Sequence, residues 1–166
     1  MAAPSDNGSG AAAHGGGLRV HATCVAIGER GVLLRGPPGA GKSDLALRLI
    51  AGPPPTGEPE AFLVADDQVV LTREGDTLVA RAPENIAGLM EIRGVGIRRV
   101  PCVAAATVAL IVDLVAREAL VRLPPDPLPT EDMLGIALPS ARLAPFESSA
   151  PLKLRMLMGA WRAAGA

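Results

Sequence analysis

Eight residues, Gly36 to Ser43, read GPPGAGKS between an apolar run, GVLL, and a run with helical spacing, DLALRLI. A loop of this type holds phosphate. Gly36, Gly39 and Gly41 let successive backbone N–H groups turn inward with no Cβ in the way, and the Lys42 ammonium neutralises the outer phosphates. The Ser43 hydroxyl is a hard oxygen donor suited to Mg²⁺. Pro37 and Pro38 stiffen the turn. Lys42 is one of only two lysines in the chain, so the match to G-x4-G-K-[ST] is not a by-product of lysine-rich composition. By itself the loop implies a bound nucleotide and leaves the reaction open.

A second group of chemistry-bearing residues closes the run FLVADD. An apolar strand that ends in carboxylates beside a phosphate loop supplies the metal-directed group of a nucleotide site. Two adjacent acids, Asp66 and Asp67, can divide the work: one directed at Mg²⁺ and the other accepting a proton from an attacking hydroxyl. The plainer alternative is that one of them caps a turn and faces solvent. His21 lies 15 positions before the first glycine of the loop; its spacing alone does not separate a site residue from a satisfied strand histidine. MEIRGVGIRRV joins Glu91 to Arg93, Arg98 and Arg99. It reads either as a carboxylate for a metal shell with arginines that spread phosphoryl charge, or as a solvated, salt-bridged loop.

These groups need a scaffold of strands. From Leu18 onward, short β-branched and apolar runs alternate with Gly, Pro or acidic turns. LRVHATCVAI and GVLLRG predict strands joined by a turn at Gly28 to Gly31, which places His21 on the neighbour of the strand leading into the loop. KSDLALRLIA predicts a helix with Leu45, Ala46 and Leu49 on one face, stopped by the four prolines of GPPPTGEPE. AFLVADD predicts a buried strand, and QVVLTREGDTLVARAP a hairpin turning near Glu74 to Asp76. ENIAGLMEIRGVGIRRV predicts a helical turn followed by irregular chain, and TVALIVDLV a strand. SSAPLKLRMLMGAW predicts a terminal helix with Ser148 or Ser149 at its cap, Pro151 in the first turn and Leu152, Met156 and Leu157 facing the core.

Composition narrows the class. With 166 residues, 49% of them apolar, the chain is one domain able to bury roughly 70% of its unfolded surface. Two cysteines, Cys24 and Cys102, do not make a disulfide framework and fit a reducing cytoplasm. A net charge of −1, two Phe and one Trp offer neither the basic face nor the stacking platform of a nucleic-acid binder. The longest apolar run, VAAATVALIV, has ten residues and is too short for a membrane span, which needs about 18. Residues 1–17, rich in Gly, Ala and Ser, read as a disordered tail that contains His14, with residues 18–166 forming the folded domain.

Taken in this order, His21, GPPGAGKSD, LVADD and EIRGVGIRRV resemble the HPr kinase/phosphorylase family, the P-loop serine kinases that act on the phosphocarrier HPr of the phosphotransferase system. The resemblance covers about residues 20–115. It implies an α/β fold, a P-loop-containing mixed sheet with few helices, similar to the HPr kinase C-terminal domain and related to phosphoenolpyruvate carboxykinase. It further implies ATP phosphates on Gly36, Pro37, Pro38, Gly39, Ala40, Gly41, Lys42 and Ser43, and Mg²⁺ on Ser43 and Glu91. Asp67 would accept the seryl proton in the forward reaction and return it in the reverse one, with Asp66 beside it and His21 and Lys42 nearby; the residues themselves leave open which aspartate is the base. The implied partner is an HPr-like carrier, and the implied assembly a cytoplasmic homo-oligomer.

Departures from the family pattern are local. The chain starts almost at the catalytic domain, as a short form would, and the proline loop Gly52 to Glu60 replaces the family's RGH link. The family has an arginine in a DRLG-like context further on, and Arg122 in VRLPP is a candidate for it. The family's later PVRPGR stretch, tied to phosphorolysis, aligns with APFESSAP, which has no arginine. Two other readings stay open: a small-molecule kinase or decarboxylating phosphotransferase built on the same loop, and a nucleotide sensor without chemistry.

Overall fold

The computed structural model describes residues 17–159; the predicted tail, apart from Gly17, and the last seven residues lie outside them. In chain order the strands β1 (Leu18–His21), β2 (Thr23–Ile27) and β3 (Arg30–Arg35) precede helix α1 (Lys42–Ala51). Then come β4 (Ala61–Ala65), β5 (Gln68–Glu74), β6 (Thr77–Arg81), β7 (Leu89–Ile92), β8 (Gly96–Arg99) and β9 (Ala105–Leu114). The chain closes with β10 (Thr130–Met133), β11 (Ile136–Leu143) and α2 (Ala150–Leu157). Among the described residues this is a mixed α/β architecture of one large curled sheet, a small two-stranded sheet and two α-helices. Among the described residues, no helix is long and apolar enough to cross a membrane.

The sheet runs β1-β5-β6-β9-β3-β2-β4, and it forks at β9. The first residues of β9, Ala105–Thr107, pair with β6, while Ile111–Leu114 pair with β11 on the same side. β3 pairs with β9 in parallel. Each face of the sheet has its own core. Val25, Val32, Leu34 and Val112 face α1 and α2, packing on Leu45, Leu49 and Leu154. Cys24, Leu33 and Ile111 face the curled β5–β6 side with Leu71 and Leu78. Strand alternation explains this division, except at two register shifts: Leu63 and Ala65 of β4 lie on opposite faces where the β2–β4 register shifts between Cys24 and Val25, and β9 breaks parity in the same way. Val108 and Leu110 lie on opposite faces because the β3–β9 register shifts by one residue between Gly31 and Val32, a bulge that reverses the parity of β9.

Three expectations are corrected. LRVHATCVAI is two strands, because the chain breaks at Ala22: β2 pairs with β3 as expected, but β1 crosses to β5, with His21 opposite Gln68. His21 therefore does not lie on the neighbour of the loop's strand. MEIRGVGIRRV is not irregular but a hairpin, β7–β8, forming its own two-stranded sheet. In α2, Ala150 and Leu154, followed by Met158 at the C-cap, are the residues in the core, whereas Leu152 and Met156 are exposed and Leu157 only borders it. The expected Leu45, Ala46 and Leu49 face of α1 is fully buried, with each leucine contributing about 1.5–3 kcal/mol.

Candidate functional site

β3 runs parallel to β9 and β9 to β11, while β4 is related to β3 through two antiparallel steps. The carboxyl ends of all four strands therefore open on one edge of the sheet. Ligands of α/β sheets bind outside such strand ends. The segments that leave this edge are the Gly36–Gly41 loop, Asp66–Asp67, Val115–Glu118 and Ala144–Glu147.

The loop is set by its backbone. Gly39 has φ 81° and Gly41, the N-cap of α1, has φ 97°, in the left-handed region that a side chain disfavours. At Gly41 a Cβ would also stand 3.0 Å from Pro145 Cγ. No side chain caps α1, and its first backbone bond runs from Leu45 N–H to Gly41 C=O, 2.9 Å. The amides of the first turn are thus left for an anion, aided by the helix dipole. Lys42 is buried, and its Nζ donates to Gly36 C=O at 2.7 Å and Pro37 C=O at 3.1 Å. An ammonium has three donors, so one remains.

Arg35, the residue before the loop, is held on both sides. It donates to Asp113 Oδ1 and Oδ2 at 2.8 and 3.0 Å and to Glu131 Oε1 and Oε2 at 2.6 and 2.7 Å. The hydrogen bonds to Glu131 and Asp113 raise the guanidinium further above its ordinary range. The entry to the loop is thereby tied to β9 and β10 by two bidentate pairs.

The two aspartates occupy opposite environments. Asp66 is buried, and its Oδ1 accepts from Thr23 Oγ at 2.8 Å and Ser43 Oγ at 2.7 Å. Asp67 is exposed, with φ 66°, a conformation aspartate tolerates better than most residues. Its carboxylate only accepts, so His21 Nε2–H must donate across the 2.7 Å to Oδ1. The β1–β5 pairing and a bond from Ala22 N–H to Asp67 C=O, 3.2 Å, bring this pair together. Four of the residues singled out in the sequence, His21, Ser43, Asp66 and Asp67, thus form two linked contacts at one strand end. Lys42 adjoins them through Ser43.

Glu91 is placed differently. It is exposed on β7, and among the described residues no hydrogen bond or ion pair joins it to Ser43, Asp66 or Asp67. Met90 anchors its hairpin in the core beside Leu45 and Leu63. Arg93, Arg98 and Arg99 are also exposed, and Arg98 bonds the carbonyl of its neighbour Ile97. Arg122 is exposed on the proline-rich segment after β9, along a groove that also contains Asp113. Sequence reasoning missed Thr23 and Arg35. A threonine in a β-run and an arginine at a strand end carry no signal until their partners are known.

The donor set fits a Mg²⁺-bound phosphate ligand: uncapped helix amides and an ammonium for phosphate, and the hydroxyl and carboxylate of Ser43 and Asp66 as hard oxygens for Mg²⁺.

Comparison with known proteins yields one consistent family. The HPr Serine kinase C-terminal domain profile matches residues 17–105. An HPr kinase/phosphorylase from Polaromonas sp. is 37% identical over 129 residues, 70% of this chain and 38% of that protein. Its counterpart from Halalkalibacterium halodurans is 49% identical over 79 residues, 47% of this chain and 23% of that protein. The chain therefore spans well under half the length of these relatives. The solved structure of the Hpr(Ser) kinase/phosphatase from Coxiella burnetii superposes with a TM-score of 0.69 at 30% identity, covering 86% of this chain and 88% of that one.

Proposed function

Because the chain belongs to the HPr Serine kinase C-terminal domain family, we propose that it is a cytoplasmic ATP-dependent serine kinase acting on an HPr-like phosphocarrier. The observation that carries this reading is the division between the two aspartates: one buried on hydroxyls, the other exposed and held by a histidine. We read Gly36–Ser43 as a P-loop, in a fold related to phosphoenolpyruvate carboxykinase.

Phosphoryl transfer needs positioning, charge neutralisation and one proton acceptor. The loop amides and Lys42 orient the phosphates and offset their charge. Asp66 fixes the Ser43 hydroxyl, and these two, with Glu91 from the hairpin, would hold Mg²⁺, which supplies charge stabilisation at the transferring group when bound. Asp67 is the proton acceptor: it is open to solvent and so to an incoming seryl hydroxyl, whereas both hydrogen bonds to Asp66 occupy one buried carboxylate oxygen. His21 orients the Asp67 carboxylate. Phosphorolysis, present in the names of the relatives, is the weaker direction in this chain, since Ala144–Pro151 lacks the arginines of the family's stretch there. The assembly that goes with this reading is a homo-oligomer.

Incubation with Mg-ATP and HPr, followed by phosphate mapping, tests the proposal. The expected product is phosphoserine on the carrier. Transfer to a metabolite alone, or nucleotide binding without turnover, would replace it with a small-molecule kinase or a sensor.

A further inference from the structure

We propose that the cavity beside the loop is a nucleobase subsite in which Phe146 stacks on the base. This rests on the assignment of Gly36–Ser43 as the phosphate site. The cavity, about 520 Å³, shares Pro37 and Ala40 with the loop and extends between the chain leaving β9 at Val115–Ala116 and the chain leaving β11 at Pro145–Phe146. It begins where a phosphate chain on the loop would end, and its size is that of a small-molecule site.

Phe146 is the feature that selects the ligand. The chain has only two phenylalanines, and this one is 71% exposed. Its ring lies against the loop, so that a Cβ at Gly41 would stand 3.0 Å from its Cζ. The backbone on both sides of the ring is fixed to α1: Arg48 donates to the Pro145 carbonyl and, at 3.2 Å, to the Glu147 carbonyl. Glu147 also joins the two walls, pairing with Arg117 at 3.3 Å through Oε1 and with Lys153 through Oε2. An exposed aromatic on a fixed backbone next to a phosphate loop is a stacking platform, tolerant of base identity because every base has a π-face. Each Glu147 oxygen is already paired with a cation, so the exposed ring face, not this carboxylate, is the feature of the cavity that favours a base. The subsite therefore holds the base by its face and discriminates poorly between adenine and guanine.

Calorimetric titration of the chain and its Phe146→Ala, Phe146→Trp and Lys42→Met variants with Mg-ATP, Mg-GTP and Mg-tripolyphosphate separates the possibilities. ATP and GTP should bind the unaltered chain within about threefold of each other, and both more tightly than tripolyphosphate. Phe146→Ala should lose about tenfold in ATP affinity with tripolyphosphate unchanged, and Phe146→Trp should retain ATP. Lys42→Met should weaken all three ligands. If Phe146→Ala leaves ATP binding intact, or weakens tripolyphosphate equally, while Lys42→Met still weakens both, the subsite is overturned and the loop assignment stands. If Lys42→Met weakens neither, the loop assignment fails and the subsite fails with it.

Discussion

The Asp66–Asp67 end of β4 and the β7–β8 hairpin both pack against α1, and both carry residues suited to phosphoryl chemistry, yet they are built differently. Asp66 lies inside the main sheet, bonded to hydroxyls from β2 and α1. Glu91 stands exposed on a separate two-stranded sheet whose anchor in the core is the apolar Met90. A carboxylate of the first kind serves the fold and the site together; one of the second kind can be lost without cost to the core. The proposed site thus has a fixed half and an appended half.

That contrast can be broken by substitution. The largest effect is expected at the fixed half: Lys42→Met should lower phosphoryl transfer by about 10³-fold through lost charge stabilisation, read in a steady-state assay. Asp66→Ala leaves the hydroxyls of Thr23 and Ser43 without their acceptor and should destabilise the protein by about 1–3 kcal/mol, measured by urea unfolding. Glu91→Gln should leave the unfolding curve in place and raise the Mg²⁺ requirement of the reaction by about tenfold; equal losses of stability for Asp66→Ala and Glu91→Gln would erase the distinction between the halves. The smallest effect is a labelling rate. Burial pushes the Cys24 thiol up to about 12, whereas Cys102, just beyond the hairpin, is exposed. Since the thiolate is the reactive species, a thiol reagent at neutral pH should modify Cys102 first and Cys24 only on unfolding.

What could be read in advance follows the range of the interactions. The phosphate loop and α1 are local: glycine and lysine spacing and the proline stop act within a few residues. The hairpin turning at Gly75–Asp76 is equally local. The crossing of β1 to β5 is not, because no glycine or proline marks the break at Ala22, and the His21–Asp67 contact it creates spans 46 positions. The β7–β8 hairpin was hidden by Gly94 and Gly96, which suggest irregular chain until the turn bond from Val95 N–H to Ile92 C=O is seen. In and just after α2, apolar residues occupy Leu152, Leu154, Met156, Leu157 and Met158, so every face looks apolar and the short helix has no readable phase. The residues of the candidate site were legible as types; the different environments of Asp66 and Asp67 were not, since identical side chains differ only in burial and partners.

The most direct test of the account is single-turnover transfer from Mg-ATP to HPr by the unaltered chain and by Asp67→Asn, with nucleotide affinity measured in parallel. Asparagine keeps the left-handed backbone at this exposed position, so the fold is preserved. Formation of phosphoserine by the unaltered chain, with transfer reduced about 10²–10⁴-fold in the variant and ATP affinity unchanged, is the predicted result. Equal transfer by both proteins would contradict the assignment of Asp67 as the proton acceptor.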